Sequence, residues 1–514
     1  MKSARYARID YFRTDHLHLR DGLRTHALKQ ATMSMVGRAL VFIVQSIGTI
    51  ILARLLTPND YGLVTMAVTV GLLLGNFGVY GFTEAIIQAE EISHKQISTL
   101  FWINVVMSLG LAVLFVAFSF LVVWFFKEPL LTNIIIVLAI SNVLTGLSVQ
   151  HLALIQRNIQ FSILSVNELI ATIIGIAVPI LLALRGWGYW ALTAKWLITP
   201  LAITIGAWII CGWRPGLPAR GTGVRPLVRY AVHTFGGGIF GYFRKNMPKF
   251  LIGRYLGSTA LGYYDRGFYL TGLLPSQLVV PINGVALSTF SRLTNDPERY
   301  RRNFLQVISL LAFIGMPLSA SLCLNSDDVV LMLLGSQWAK TGQIVFALGL
   351  SIGVMINYVS HTWLHFSLGT PDRLLRWGII EFVVGVFCVL VGLSYGTVGI
   401  AFAFSATYYI LLGPSLWYAG KPIGLKLSSV ISALWRYYLS ALLAGISSWL
   451  ILYKYEIVSN AFNELNILIR IIASTGLCLV MYLLIIVTLF KGITPILQCI
   501  SIGREILKRR DSNN

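Results

Sequence analysis

The sequence predicts an all-α, polytopic membrane protein of about fourteen helices arranged as two like halves. Three observations carry that reading. Of 514 residues, 56 % are hydrophobic and only 12 % charged, with a mean hydropathy of +0.75; a soluble chain of this length would need far more charged surface. Apolar runs of about 20 residues recur along the chain, each long enough to cross a bilayer. Finally, Leu52-x-Arg54-x-Leu56 followed by Gly62 reappears 200 positions later as Ile252-x-Arg254-x-Leu256 followed by Gly262. Duplicated bundles of this kind are typical of transporters, whose like-oriented halves rock around a site at the bilayer midplane.

Read in windows of about 19 residues, the crossings fall near 32–54, 63–88, 100–126, 130–150, 161–184, 187–211, 231–253, 267–289, 303–325, 340–368, 374–393, 396–419, 431–453 and 465–490. The seventh and eighth are the weakest, because Gly236-Gly237-Gly238, Pro248, Pro275 and Pro281 interrupt them and both residue types disfavour a helix interior. The first 29 residues carry Lys2, Arg5, Arg8, Arg13, Arg20, Arg24 and Lys29 around no apolar core. They read as a basic cytoplasmic segment able to form an amphipathic surface helix, and not as a cleaved signal peptide.

Orientation follows from lysine and arginine, which concentrate in loops that stay cytoplasmic. With the amino terminus inside, roughly 27 basic residues fall in cytoplasmic segments, about 6 in external ones and about 7 in the membrane. The cytoplasmic set includes Arg214, Arg220, Arg225 and Arg229, then Arg292, Arg299, Arg301 and Arg302, and the terminal Lys508-Arg509-Arg510. An even helix number places both termini in the cytoplasm. The net charge of +20 is thereby explained by topology, with anionic headgroups as its natural neighbours and no nucleic-acid partner implied.

Composition also removes several chemistries. Cys211, Cys323, Cys388, Cys478 and Cys499 are isolated, so neither a disulfide framework nor a zinc site is expected. His361 and His365 stand four apart and share a helix face, but no third ligand accompanies them; a hydrogen-bonded or cavity-lining role is expected instead of a metal. No phosphate-cradling Walker loop and no nucleophile elbow with a triad appears. The chain reads as a non-enzyme without cofactors, and uphill movement would have to draw on an ion gradient.

Function then rests on polar groups inside apolar spans. A lysine or arginine at the centre of a span costs about 2.5–3.5 kcal/mol on insertion scales, so such residues normally face a bundle interior or a wet cavity. In the first span Ser34, Arg38, Gln45 and Thr49 recur at helical spacing and share one stripe, expected to face inward. In the seventh, His233, Gly237, Gly241 and Arg244 repeat the pattern, with Lys245 and Lys249 adjoining; Lys195 in the sixth span is a further cation. Glu84, Glu168, Asp265 and Glu381 are the intramembrane acids, with Glu84 and Asp265 near helix ends. The balance favours cations, which suit phosphate or pyrophosphate because charge-assisted hydrogen bonds strengthen as the dielectric falls. Arg54 and Arg254 sit at helix ends before glycine-containing turns, where they reach headgroups; the repeated motif is therefore read as architectural.

Several of these segments resemble a known family. Leu52-Ala53-Arg54-Leu55-Leu56-Thr57-Pro58-Asn59-Asp60-Tyr61-Gly62 is similar to the opening signature of bacterial polysaccharide flippases of the Wzx type. Ala85-Ile86-Ile87-Gln88, Glu91-Ile92-Ser93-His94 and Thr99-Leu100-Phe101-Trp102-Ile103-Asn104 resemble the branch that includes the colanic acid exporter. Leu251 to Gly257, Leu261-Gly262-Tyr263-Tyr264 and Leu334-Gly335-Ser336-Gln337-Trp338 extend the likeness, which covers roughly residues 30 to 420.

The resemblance implies membership of the multidrug/oligosaccharidyl-lipid/polysaccharide exporter superfamily. Its members have two pseudo-symmetric six-helix lobes, a C-terminal helix pair and alternating access through a V-shaped cavity. Applied to this sequence it implies a basic N-terminal segment at 1–29, an N-lobe at 30–211, an inter-lobe loop at 212–230, a C-lobe at 231–420, a helix pair at 421–490 and a basic tail at 491–514. The implied cargo is an undecaprenyl-pyrophosphate-linked oligosaccharide, turned from the cytoplasmic to the periplasmic leaflet of the bacterial inner membrane for exopolysaccharide, capsule or O-antigen lipopolysaccharide synthesis. Polysaccharide polymerase or assembly machinery would be its working partners. Pro248 stands where the family commonly carries an acid, which argues against carboxylate coupling at that place.

Joined to the residue reading, the expected cationic cavity comprises Arg38, Arg244, Lys245, Lys249 and Lys195, with Gln45 and His233 as polar lining and Glu168 or Glu381 for ion coupling. A drug or cation antiporter of the same superfamily is the alternative, and it would want carboxylates dominating that cavity. A membrane glycosyltransferase would need a long external loop rich in polar residues, and the external segments here are short.

Overall fold

A computed structural model describes residues 20–79, 83, 86, 87, 92–219, 238–493, 495 and 497, and every regular element among them is helical. The chain packs as two compact units that divide between Gly262 and Tyr263.

The first unit opens with α1 (Arg20–Leu55), which runs unbroken from the end of the basic segment into the first apolar span. It is followed by α2 (Pro58–Val79), α3 (His94–Ala117), α4 (Ser119–Phe126), α5 (Leu131–Arg157), α6 (Phe161–Leu184), α7 (Tyr189–Cys211) and the opening part of α8 (Gly238–Ser291). The expected third crossing is thus two helices end to end, broken at Phe118. A capping box starts α3: the Ser93 N–H donates to Gln96 Oε1 at 2.8 Å and the Gln96 N–H to Ser93 Oγ at 3.3 Å, which satisfies two donors that the helix start leaves open.

Lipid tails are as apolar as leucine, so helices in a membrane associate through close packing and polar contacts. Both devices are visible. Ser141 Oγ donates to the Trp196 carbonyl at 2.6 Å, Thr204 Oγ1 to Leu144 at 2.8 Å and Trp208 Nε1 to Leu147 at 2.9 Å, and these lace α5 to α7. Asn104 Nδ2 donates to the Gly146 carbonyl at 2.8 Å, tying α3 to α5. Asn167 Nδ2 does the same from α6 to Ile203 of α7 at 3.2 Å. Ile97, Leu100, Phe101, Ala153, Leu154 and Trp213 belong to one buried hydrophobic cluster of this unit.

The second unit takes the rest of α8, then α9 (Pro297–Leu324), α10 (Ser326–Leu333), α11 (Ala339–Gly349), α12 (Ile352–Tyr358), α13 (Ser360–Ser367), α14 (Pro371–Leu393), α15 (Gly396–Gly420), α16 (Leu427–Tyr453), α17 (Glu456–Glu464) and α18 (Ile467–Phe490). α9 packs on α12 and α16, and α16 on α18. α14 and α15 form a pair in which Gly392 and Gly399 meet backbone to backbone. His361 and His365 are buried and hydrogen-bonded, to the Tyr358 carbonyl at 2.6 Å and Thr370 Oγ1 at 3.1 Å. Asp265 is buried beside Arg266, 2.5 Å from its guanidinium.

Among the described residues, 11 helices are long and apolar enough to span a bilayer, or 12 if the pair Ser336–Gly349 and Ile352–Ser367, bent by 43°, is one crossing. The protein is a multi-pass membrane protein. The difference from about fourteen has identifiable sources. The eighth window and the described part of the seventh both fall on α8, whose stretch Lys245–Ser291 counts as a single candidate although its backbone is broken at Gly257; residues 231–237 of the seventh window lie outside the described residues. The second window reaches beyond α2 into residues outside the description. Pro248, Pro275 and Pro281 do not end α8; its one non-helical residue is Gly257, at φ 85° and ψ 178°. Proline is tolerated in membrane helices because neighbouring groups re-satisfy the freed backbone.

Candidate functional site

The expected cations share one unit. Arg38 lies on α1, Lys195 on α7, and Arg244, Lys245 and Lys249 on the opening part of α8. Arg38, Gln45 and Lys245 are exposed, while Lys195 and Lys249 are half-buried. The structure describes the Arg244 backbone as helical, and His233, like Glu84, lies outside the described residues. Of the two coupling candidates, Glu168 is exposed on α6 of the same unit and Glu381 is buried on α14 of the other.

The stripe on α1 divides. Ser34 meets Ser165 of α6 at 3.4 Å, Gln30 Oε1 accepts the Ser162 N–H at 3.0 Å, and Thr49 is buried. Gly37 and Gly48 sit against Ser165 and Ile176, where a side chain would collide. Arg38 and Gln45 stay outside this packed face. Because Ser34 pairs with Ser165 and Gly48 with Ile176, α1 and α6 run parallel, and Arg38 stands level with Glu168. Neither forms a hydrogen bond or ion pair among the described residues, so an acid and a base share one level of a helix pair without closing on each other.

The opening part of α8 is held against the same unit. Tyr242 Oη donates to the Thr69 carbonyl of α2, and Phe250 stacks on Phe126 of α4 with centroids 6.3 Å apart. Gly253 faces the same Phe126 ring. Lys245 and Lys249, one turn apart, share a face.

The two copies of the repeated motif meet one another. Gly62 lies against the Ser258 carbonyl and Gly262 against the Pro58 carbonyl, each so close that a β-carbon would overlap backbone. Asn59 Oδ1 accepts the Ser258 hydroxyl at 2.5 Å and lies 3.5 Å from Thr259 Oγ1. Under the 200-residue offset Pro58 corresponds to Ser258 and Gly62 to Gly262, so each copy contacts the other's equivalent surface, a local two-fold contact. The residue reading assigned the motif an architectural role and found its spacing; the mutual contact needed coordinates.

Residues 51–343, more than half of the chain, match the model of the family described as polysaccharide biosynthesis protein. The chain belongs to that family. It is 24 % identical to the lipopolysaccharide biosynthesis protein WzxC of Escherichia coli strain K12, over 62 % of this chain and 65 % of that one. It is 27 % identical to the succinoglycan biosynthesis transport protein ExoT of Rhizobium meliloti strain 1021, over 68 % and 70 %. The chain thus spans about two thirds of the length of these relatives. Its fold is shared with the lipid II flippase MurJ, at a TM-score of 0.71, 15 % identity and coverage of 90 % of this chain and 99 % of that one. A multidrug resistance MATE family transporter of the MOP superfamily aligns at a TM-score of 0.61 and 13 % identity, over 77 % and 98 %. The polysaccharide family that the sequence resembles is the one matched, and the fold is one that solved membrane transporters share.

Proposed function

We propose that this protein moves undecaprenyl-pyrophosphate-linked oligosaccharides from the cytoplasmic to the periplasmic leaflet of the bacterial inner membrane by alternating access. The units would feed exopolysaccharide, capsule or O-antigen assembly, with a polymerase downstream. The observation that supports the reading is that Arg38, Lys195, Arg244, Lys245 and Lys249 all lie on helices of one unit, in a fold shared with a lipid II flippase. Five cations in such helices are costly to insert, and a pyrophosphate would offset that cost through charge-assisted hydrogen bonds. The relatives' names, biosynthesis of lipopolysaccharide and transport in succinoglycan biosynthesis, point to the same cargo class. Both termini are taken as cytoplasmic from the distribution of lysine and arginine.

In this mechanism Arg38 and Arg244 bind the pyrophosphate, Lys195, Lys245 and Lys249 guide it, and Gln45 and His233 bind sugar hydroxyls while the prenyl chain stays in lipid. Glu168, level with Arg38, is the better placed of the two coupling candidates: it can neutralise the guanidinium once cargo leaves. The test is reconstitution in liposomes with a defined prenyl-pyrophosphate oligosaccharide, whose accessibility is measured from each leaflet with and without a proton or sodium gradient. Arg38→Ala and Arg244→Ala should each lower transport about tenfold or more, and Glu168→Gln should remove the gradient dependence. Full transport by both arginine variants would sink the assignment, and export of cationic dyes by the unaltered protein would favour the antiporter.

A further inference from the structure

An open chamber is lined entirely by residues of the second unit. Its volume is about 990 Å³, at the upper end of the range for small-molecule pockets. Most of its wall is apolar or aromatic, including Leu350, Tyr409, Trp435, Tyr438 and Trp449. At one rim stand Asp327, Asp328 and Arg470. Arg470 engages both carboxylate oxygens of Asp328, with Nε donating to Oδ2 at 3.0 Å. Among the described residues lining the chamber, Arg470 is the one cation and it is already committed, so the rim keeps the uncompensated negative charge of Asp327. Partial desolvation first, and Asp328 second, raise the Asp327 carboxyl above its ordinary value.

This arrangement is opposite in sign to the cations singled out on the first unit's helices. A pyrophosphate head would meet two carboxylates, whereas an ammonium head meets a carboxylate without a partner, a neighbouring guanidinium for an adjoining phosphate, and aromatic faces that attract cations. The acidic rim follows the end of α9 opposite its arginines Arg299, Arg301 and Arg302, which under the proposed orientation is the external side. We infer that this chamber is a binding site for a zwitterionic phospholipid with a primary ammonium head, of the ethanolamine class: the ammonium on Asp327, the phosphate beside Arg470, and acyl chain along Leu350, Trp435 and Trp449. The occupant is a resident membrane lipid and not the cargo, so the inference stands apart from the proposed transport.

The full-length protein is exchanged into mixed micelles holding equal amounts of ethanolamine and glycerol phospholipids, and retained lipid is counted by native mass spectrometry. The ethanolamine lipid should be retained about fivefold over the glycerol lipid, the upper end for a partly exposed ion pair. Asp327→Asn should bring the two to parity. Gly445→Leu, at a wall position whose nearest neighbour would be the Ala320 β-carbon at 3.7 Å, fills the chamber without backbone conflict and should lose the retained lipid altogether. Parity in the unaltered protein would overturn the inference. So would displacement of the lipid by prenyl phosphate with no effect of Asp327→Asn, which would make the chamber a carrier-tail site.

Discussion

At Thr57 the chain separates α1 from α2 with side chains; at Gly257, its counterpart 200 residues on, it interrupts α8 with a backbone angle. In the first copy the Thr57 N–H and Oγ1 donate to Asp60 Oδ2 at 3.0 and 2.7 Å, and the Asp60 N–H donates to Thr57 Oγ1 at 3.2 Å. This is a reciprocal cap, with Pro58 at the first helical position, where its missing N–H costs nothing. In the second copy no such cap is present; Gly257 takes φ 85° and ψ 178°, a region essentially reserved for glycine. Two unrelated local solutions thus deliver Gly62 and Gly262 to the same mutual contact. The contact, not the turn chemistry, is what the two copies have in common.

The contact itself should be the most sensitive place to break. Gly62→Val and Gly262→Val each drive a branched side chain into a backbone carbonyl that cannot step aside, which costs about 1–3 kcal/mol or more. Both variants should lower the thermal midpoint in detergent and sharply reduce transport. Equal damage from the two would confirm that the contact is two-fold in energy as well as in geometry; a variant with the unaltered midpoint would show the close approach to be dispensable.

Exchanging the turn residues separates the two copies. Gly257→Thr forces a β-branched residue into the glycine-only region and should cost about 1–3 kcal/mol. The reverse exchange, Thr57→Gly, should cost only a few tenths, because glycine is a tolerated helix cap, and Thr57→Ala about 1 kcal/mol. The check is the order of thermal midpoints, with Gly257→Thr lowest and Thr57→Gly nearest the unaltered protein. Equal losses at 57 and 257 would mean that both turns rely on the same chemistry.

The sequence made some of this visible. The composition and apolar runs declare a helical membrane protein, while the second crossing, expected from residue 63, starts at Pro58 behind the Thr57 cap. The sequence also singled out Arg38, Lys195, Lys245 and Lys249 as cations in apolar helices, since each is locally out of place. Other features depend on residues distant along the chain. Arg470 and Asp328 are 142 positions apart, and no periodicity links them. The packing of α1 against α6, which takes Ser34 and Thr49 inward and leaves Arg38 and Gln45 outside, is set by Gly37 and Gly48 fitting Ser165 and Ile176. Helical spacing alone gave all four polar residues one fate. The prolines of α8 misled in the opposite direction, because propensities measured in water overstate their power to end a helix in lipid.

A smaller effect than the glycine clashes is expected at the polar edge of the contact. Asn59 corresponds to Thr259 and Ser258 to Pro58, and one side-chain amide oxygen serves both Ser258 and Thr259; the symmetric counterpart would need a hydroxyl at Pro58, which proline lacks, so this pairing is where the symmetry fails. Asn59→Ala removes an acceptor from the buried Ser258 hydroxyl and should cost about 0.5–1.5 kcal/mol. Ser258→Ala should cost a similar amount, and the double variant little more than either alone, because the two changes delete the same bond. Additive losses in that cycle would mean that Asn59 and Ser258 stabilise the protein separately. The contact between the copies would then be held by the two glycines alone, with its polar half incidental.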